Sequence, residues 1–157
     1  MKPGFTLIDV GCGNGFFALP AARLVGEKGK VFGFDANAEA IGMLKKTAMK
    51  EGLRNLNLRV GMAEETVLCD ACADIVFFGI VLHDFKDASR VLSNAKRMLK
   101  STGRLVDLDW KKEPMNFGPP LRIRFSEEKA VSLIEAADFK INSVRAAGPH
   151  HYLIIAH

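Results

Sequence analysis

The chain has 157 residues, of which 48% are hydrophobic and 25% charged, and its formal net charge is +4 at pH 7. This length predicts one domain over residues 1–157 with a substantial core, and the composition excludes a disordered or fibrous protein. No apolar run reaches the roughly 18–20 residues that span a bilayer, and the scattered basic residues argue against a nucleic-acid-binding face.

Three cysteines without a secretory leader predict a reducing compartment, the cytoplasm, where disulfides are rare.

Strands and helices alternate along the whole chain. The predicted elements of the first half are a strand over Thr6–Val10, a helix over Phe16–Val25, a strand over Lys30–Phe34, a helix over Ala38–Glu51, a strand over Leu56–Val60 and a short irregular or helical segment over Glu64–Leu68. Those of the second half are a strand over Asp74–Phe78, a helix over Ala88–Leu99 capped by Asp87, a strand over Gly103–Asp109, a Pro/Gly-rich loop over Glu113–Pro120, a helix over Glu127–Ala137 capped by Ser126, and strands over Lys140–Arg145 and Tyr152–Ala156.

This alternation predicts an α/β fold, a doubly wound, Rossmann-like, mainly parallel seven-stranded sheet. The turn before the last strand, at Gly148 and Pro149, is too short to hold a crossover helix. The seventh strand is therefore expected to run antiparallel to the sixth.

The segment from Leu7 to Phe16, LIDVGCGNGF, leads an apolar strand into a tight glycine turn at the start of a helix. Glycine tolerates positive φ and has no Cβ, so a ligand can approach the backbone here, and the first helical turn points free N–H groups at it. Asp35 ends the second strand, where an acidic side chain is placed to bind ribose hydroxyls. Together these features predict a nucleotide pocket.

The glycine spacing indicates which nucleotide to expect. A dinucleotide fingerprint requires a third glycine at position 16, close to the pyrophosphate, but this position holds Phe16. A ligand with a ribose and no phosphates tolerates Phe16, and S-adenosylmethionine is such a ligand. A nicotinamide-dependent oxidoreductase is disfavoured for the same reason.

Five segments in order carry a resemblance to a known family, namely DVGCGNG at 9–15, GFDA at 33–36, GMAE at 61–64, ADIVF at 73–77 and VLHD at 81–84. The sequence resembles the class I S-adenosylmethionine-dependent methyltransferases, of the small-molecule type related to quinone-biosynthesis C-methyltransferases. The resemblance covers nearly the whole chain. It implies the class I methyltransferase fold with an antiparallel last strand, S-adenosylmethionine as methyl donor, S-adenosylhomocysteine as product and a small-molecule methyl acceptor.

The resemblance implies cofactor-binding roles at the ends of the first two strands. Asp9 is expected to anchor the methionine ammonium, although it could instead hydrogen-bond the glycine turn. Asp35 is expected to accept the ribose hydroxyls, the alternative being a cap for the second helix, and Ala36 to pack against adenine. The loop residues that shape the cofactor site are Gly11, Cys12, Gly13, Asn14 and Gly15.

Residues after the third and fourth strands are expected to complete the pocket. Met62 stands where the family usually carries an Asp that accepts from the adenine amino group. The alternatives for reading adenine are the backbone of Met62 and Ala63, the Glu64 side chain, or stacking by Met62, which could also simply fill the core. The carbonyl of Gly79 is expected to accept from the methionine ammonium, and Ile80 to cover the other face of adenine.

Methyl transfer from a sulfonium depends mainly on holding the acceptor in line, so few catalytic side chains are expected. His83, after the fourth strand, is the candidate, either to deprotonate or orient the acceptor or only to fix the start of the next helix. Cys69 and Cys72 supply two of the usual four zinc ligands, so no metal site is predicted and the pair is expected to lie in a loop.

The region after the fifth strand is expected to lie near the acceptor. Trp110 could line an acceptor pocket or pack on the following loop, and the Pro-rich segment around Phe117 and Arg124 is expected to cover the site. His150 and His151 occupy a hairpin turn and are expected on the surface.

Two other functions remain open at this point. An RNA or protein methyltransferase is one, but the Asn-Pro-Pro-aromatic signature of amino-group methylation is absent from FGIV at 78–81, and the diffuse charge disfavours RNA. A cofactor-binding protein without catalytic activity is the other. Family members often carry lid helices before the first strand, whereas this sequence starts almost at that strand. Either the acceptor enters an open site, or a homodimer or another partner closes it, or the sequence is incomplete.

Overall fold

The computed structural model describes residues 1–157, which form a seven-stranded sheet in the order β3-β2-β1-β4-β5-β7-β6. The strands are β1 (Thr6–Val10), β2 (Lys30–Asp35), β3 (Leu56–Val60), β4 (Ala73–Gly79), β5 (Leu99–Trp110), β6 (Ile141–Ala147) and β7 (His151–Ala156). The helices are α1 (Ala18–Val25), α2 (Ala38–Lys50), α3 (Ala88–Met98) and α4 (Glu127–Ala136), and a 3-10 helix covers Leu82–Asp84. The first five strands are parallel and β7 is antiparallel to both β5 and β6, which confirms the predicted fold class.

The strand order reverses at β1. The chain steps outward from β1 through β2 to β3, then crosses back to form β4 on the other side of β1. A reversal of this kind leaves a crevice at the carboxyl ends of the strands that flank it. The functional residues described below lie at that edge.

Helices cover both faces of the sheet. The buried residues of α1 and α2 pack with Leu7 and Val31 in one apolar core. Those of α3 and α4 form a larger core with Ile8 and Val10 on the opposite face. Because successive strand residues point to opposite faces, Asp9 shares its face with Leu7 and lies on the side of α1.

Three helices begin at capping side chains, as helix-terminal donors require. The Asn37 side chain accepts from Glu39 N and Ala40 N at 3.0 and 3.1 Å. Asp87 and Ser126, the two predicted caps, accept from the third residue of α3 and α4 at 2.9 and 3.2 Å. None of these helices combines the length and apolarity that crossing a membrane requires.

Element boundaries differ from prediction by one or two residues at several ends, and by more at the start of β5. Helix α1 begins at Ala18 rather than Phe16, and Phe17 instead packs edge-on against Phe77 at 5.0 Å. The segment Glu64–Leu68, predicted as irregular or helical, is irregular and contains only the end of a turn. Strand β5 starts at Leu99 and not at Gly103, because the β4–β5 register is irregular and Leu99 already pairs with β4 before the irregularity.

Gly15 lets the glycine turn lie against α2. Its φ is +90°, and a Cβ here would overlap the side chain of Leu44. Gly15→Ala is therefore expected to lower the free energy of unfolding by roughly 2–4 kcal/mol, through left-handed strain plus overpacking. At Gly13 the φ is +51°, but no atom lies within 4 Å of an added Cβ. Gly13→Ala should therefore lower the free energy of unfolding by about 1 kcal/mol, from strain alone. Urea denaturation measures both losses, and equal values would contradict the packing argument.

Candidate functional site

An open cleft lies at the carboxyl edge of the sheet, between the ends of β2 and β3 and the segment that follows β4. Five of the predicted cofactor residues line it, namely Gly11, Asp35, Ala36, Met62 and Ala63. The cleft also contains residues that sequence reasoning did not assign to the site, namely Phe34, Gly61, Val81, Asp84, Phe85 and Lys86.

Asp35 is held in one orientation by two backbone donors. Its Oδ2 accepts from Gly13 N at 2.9 Å, and its Oδ1 accepts from Asn37 N at 2.8 Å. The carboxylate therefore joins the glycine turn to the start of α2, although the capping side chain of α2 is that of Asn37. Each carboxylate oxygen can accept a second hydrogen bond, so Asp35 keeps the capacity to bind a pair of hydroxyls from the cleft.

Asp9 is 1% exposed at the end of β1, and its Oδ2 is buried without a hydrogen-bond partner. Burial, and secondly the charge of Asp35, raise the pKa of Asp9 to about 8. A buried carboxyl group of this kind stays protonated or requires a cation. The unpartnered oxygen therefore fits the ammonium group that the sequence analysis expected at Asp9.

The loop after β3 forms one wall of the cleft. The Asn94 side chain on α3 donates to the carbonyls of Ala63 and Glu64 at 3.0 and 2.9 Å, which holds the loop in place. Met62 is 43% exposed in the cleft and is not a core residue. Glu64 also lines the cleft, and its Oε2 is buried without a partner.

The segment after β4 approaches the glycine turn closely. A Cβ on Gly11 would lie 2.7 Å from Val81 Cγ2, so the turn and the cleft wall meet only because Gly11 has no side chain. Gly79 packs against the Phe17 ring, outside the cleft lining. Ile80 has a φ of +61°, and a β-branched residue in this region stores roughly 1–3 kcal/mol of strain, which tends to occur at functional sites.

Four predicted loop residues shape the turn without lining the cleft, namely Cys12, Gly13, Asn14 and Gly15. Cys12 is buried in the core beside Gly33, and burial raises the pKa of its thiol. Gly15 packs against α2, and Asn14 is exposed.

His83 forms a buried pair with Asp109 on β5. The two Asp109 carboxylate oxygens lie 2.7 and 2.8 Å from His83 Nδ1, and His83 Nε2 lies 3.3 Å from Asp84 Oδ1 at the cleft. Burial by itself lowers the pKa of His83, and so does the charge of Arg124. The hydrogen bond that His83 donates to Asp109 and the charges of Asp109 and Asp84 outweigh both, so this pKa lies above its ordinary value.

Sequence reasoning missed Asp109, although the strand carried a signal. Acidic residues at 107 and 109 alternate with apolar ones in a central strand, and both are almost fully buried. Buried carboxyl groups are rare without a partner or a function. Asp107 has no partner for either oxygen, and burial followed by the charge of Asp109 raises its pKa well above the usual range.

Arg124 anchors the Pro-rich loop. Its buried guanidinium donates to the carbonyls of Pro119 and Phe117 at 2.8 and 2.9 Å, and more weakly to two others in the same segment. Trp110 packs on this loop, 5.9 Å from the Phe117 ring. His151 was expected on the surface, but it lies half-buried against Trp110 with ring centroids 4.1 Å apart, because β7 pairs directly with β5.

Cys69 and Cys72 are joined in a disulfide, which differs from the expectation of reduced cysteines. Ala71 between them has a φ of +48°, and the resulting turn brings the two Cα atoms to 6.0 Å, within the usual range for a disulfide. No group of His, Cys, Asp and Glu side chains has the arrangement of a metal site.

A family model described as a methyltransferase domain matches residues 1–136. The chain belongs to this methyltransferase family. It is 34% identical over 111 residues to a demethylmenaquinone methyltransferase of Bacillus mycoides, covering 69% of this chain and 46% of that protein. It is 30% identical over 109 residues to an arsenite methyltransferase of Halobacterium salinarum, covering 69% of this chain and 28% of that protein.

The methyltransferase fold also matches solved structures. A SAM dependent methyltransferase from Aquifex aeolicus superposes with a TM-score of 0.94 at 30% identity, covering 99% of this chain and 82% of that one. In contrast, the chain spans less than half the length of the two curated relatives. The methyltransferase domain is thus the part that they share.

The raised pKa of Asp9 makes the stability of the ligand-free methyltransferase domain depend on pH. Asp9 titrates near 3.8 when unfolded and near 8 when folded. Between these values the folded state binds more protons than the unfolded state, so the free energy of unfolding falls as pH rises. Asp9→Asn removes this titration and is expected to make the fall shallower.

Denaturation at a series of pH values measures this slope. Asp107, whose pKa is also raised, contributes the same background to both proteins. A fall as steep in Asp9→Asn as in the wild type would contradict the pKa assigned to Asp9.

Proposed function

We propose that this chain is an S-adenosylmethionine-dependent methyltransferase that acts on a small-molecule acceptor. The observation that carries the proposal is the buried, unpartnered carboxyl group of Asp9 beside a cleft in which Asp35 presents an oriented carboxylate. The Asp9 carboxyl group, which ionises when a cation binds beside it, suits the ammonium of an amino acid, and the Asp35 carboxylate suits the hydroxyls of a ribose. The methyltransferase-domain match and two relatives named for small acceptors support the same reaction.

The cofactor would lie across the ends of β1, β2 and β3. Asp9 would bind its ammonium group together with the Gly79 carbonyl, and Asp35 would accept from its ribose. Adenine would lie between Ala36 and Ile80, next to the backbone of Ala63 and the side chain of Met62. When bound, S-adenosylmethionine supplies an electrophilic methyl group on a sulfonium. The chain's own residues would then orient the acceptor and exclude water.

Closure of the cleft by a second copy or another partner stays a prediction, as does a cytoplasmic location.

Asp35→Ala tests the ribose contact. Loss of a hydrogen bond to a charged group costs roughly 1.5–3 kcal/mol, so the Kd of S-adenosylmethionine should rise about 10- to 100-fold. Asp87→Ala is the matched control, because it removes an Asp from the start of α3, outside the cleft. Calorimetric titration with S-adenosylmethionine, S-adenosylhomocysteine and NAD measures the effect. Tight binding of NAD alone would contradict the proposed function, and an unchanged Kd in Asp35→Ala would contradict the ribose contact.

Glu64 is the best candidate to replace the Asp that the family usually carries at position 62. Its Oε2 is a buried acceptor without a partner in the cleft wall, and Asn94 holds the backbone beneath it. An acceptor here would bind the 6-amino group of adenine. It would repel the carbonyl oxygen of hypoxanthine at the same position, because two acceptors cannot share a hydrogen bond.

Glu64→Gln should therefore reduce the preference for S-adenosylhomocysteine over S-inosylhomocysteine about tenfold, since the amide can also donate. Glu65→Gln, at the exposed neighbouring position, is the control. Adding Met62→Asp to Glu64→Gln should restore the preference. Calorimetric titration with both nucleosides measures the ratio, and the same ratio in Glu64→Gln as in the wild type would rule out this role for Glu64.

A further inference from the structure

We propose that His83 and Asp109 form a general-base pair, in which His83 Nε2 removes a proton from the methyl acceptor and Asp109 acts as a positioning residue, and that the acceptor is a phenol or enol methylated on its hydroxyl oxygen. This inference rests on the proposed function, because it needs S-adenosylmethionine as the methyl donor. It goes beyond that function by assigning a role to Asp109 and a chemical class to the acceptor.

The geometry of the pair determines which ring nitrogen is available. Both Asp109 oxygens lie within hydrogen-bond distance of His83 Nδ1, so this nitrogen carries the proton. In the neutral ring the lone pair is then on Nε2. That nitrogen lies 3.3 Å from Oδ1 of Asp84, an exposed residue of the cleft wall. The basic nitrogen therefore lies next to a residue of the cleft wall, while the His83 side chain itself is 2% exposed.

Asp109 is itself fixed. Its Oδ1 also accepts from Trp110 N at 2.7 Å, and the side chain is 1% exposed in β5. Burying a histidine and a carboxylate costs desolvation that apolar side chains of the same size avoid. Stability alone therefore does not explain why the pair is buried here. A role as a base at the edge of a cofactor cleft does explain it.

The charges around His83 favour a stronger base than a free imidazole. Asp109 faces it from β5, Asp84 from its own 3-10 helix, and Arg124 from the loop before α4. The two carboxylates raise the pKa of His83, while burial and Arg124 lower it, and the net shift is upward. A base of this strength suits a weakly acidic hydroxyl group. Val81 and Phe85 line the same cleft and provide apolar surface for a ring.

The acceptor hydroxyl proton moves to Nε2, and a bond forms between the hydroxyl oxygen and the methyl carbon. The bond from the methyl carbon to sulfur breaks, and its electron pair stays on sulfur as a neutral thioether. The imidazolium then returns its proton to solvent past Asp84.

Asp109→Asn tests the pair, with Asp107→Asn as the matched control. Both are buried aspartates on the same face of β5, but Asp107 makes no hydrogen bond with His83, and neither of its carboxylate oxygens has a partner. The probes are 1-naphthol, which stays protonated in mildly alkaline buffer, and 4-nitrophenol, which is already ionised there. Methyl transfer from S-adenosylmethionine to each is followed across a pH series, together with calorimetric binding of the donor.

We expect the wild-type rate with 1-naphthol to rise with pH through the pKa of His83. Asp109→Asn should lower kcat for 1-naphthol about 100-fold, within the range of general-base catalysis, and move the inflection to lower pH. It should leave kcat for 4-nitrophenol and the Kd of the donor within twofold of the wild type. Asp107→Asn should change neither rate. Titration of the labelled His83 ring by NMR should show the same downward shift of pKa in Asp109→Asn alone.

If Asp109→Asn lowers kcat equally for both phenols, or leaves the inflection of the pH profile unmoved, the base role is overturned and Asp109 is a packing residue. A wild-type protein that binds S-adenosylmethionine but methylates neither phenol would overturn the acceptor class. A wild-type protein that does not bind the donor would overturn the proposed function instead. If Asp109→Asn does not fold, His83→Gln answers the same question, because it should lose methyl transfer to 1-naphthol and keep methyl transfer to 4-nitrophenol.

Discussion

The site depends on how closely the glycine turn after β1 lies against its neighbours. Gly11 touches Val81 from the segment after β4, Gly15 touches Leu44 on α2, and the Gly13 N–H donates to Asp35 at the end of β2. A side chain at Gly11 or Gly15 would separate elements that are now in contact. The turn thus joins the segment after β4, helix α2 and the end of β2 around the cleft.

Buried acidic groups are the second feature of this edge. Asp9 and Glu64 each have a buried carboxyl oxygen without a hydrogen-bond partner, and Asp109 is hydrogen-bonded to His83. Such groups oppose folding unless they are protonated or paired. They are consistent with a domain that gives up stability in the free state for complementarity to a charged and polar ligand. The strained backbone of Ile80 lies at the same edge.

Much of the fold was predictable because local pattern and topology agree. Short strands that mostly alternate with helices leave few arrangements of the sheet, and the three-residue turn between Ala147 and His151 excludes a crossover before β7. The boundaries that were wrong are those decided by tertiary contacts. Phe17 packs against Phe77 instead of opening the helix, and β5 gains its early start only by pairing with Ala73 across an irregular register. The Cys69–Cys72 link depends on a left-handed residue that a sequence pattern does not reveal.

The sequence by itself determined the fold class, the glycine turn, and the position of Asp9 and Asp35 at neighbouring strand ends, because each follows from spacing within a few residues or from strand order. Only the tertiary structure decided which side chains meet across the sheet. His83 and Asp109 are 26 residues apart and touch because Gly79 pairs with Leu108, which brings the turn after β4 over the end of β5. Glu64 lines the cleft because Asn94, on a different element, holds its loop there. Partners of this kind are set by register and packing, which no local pattern encodes.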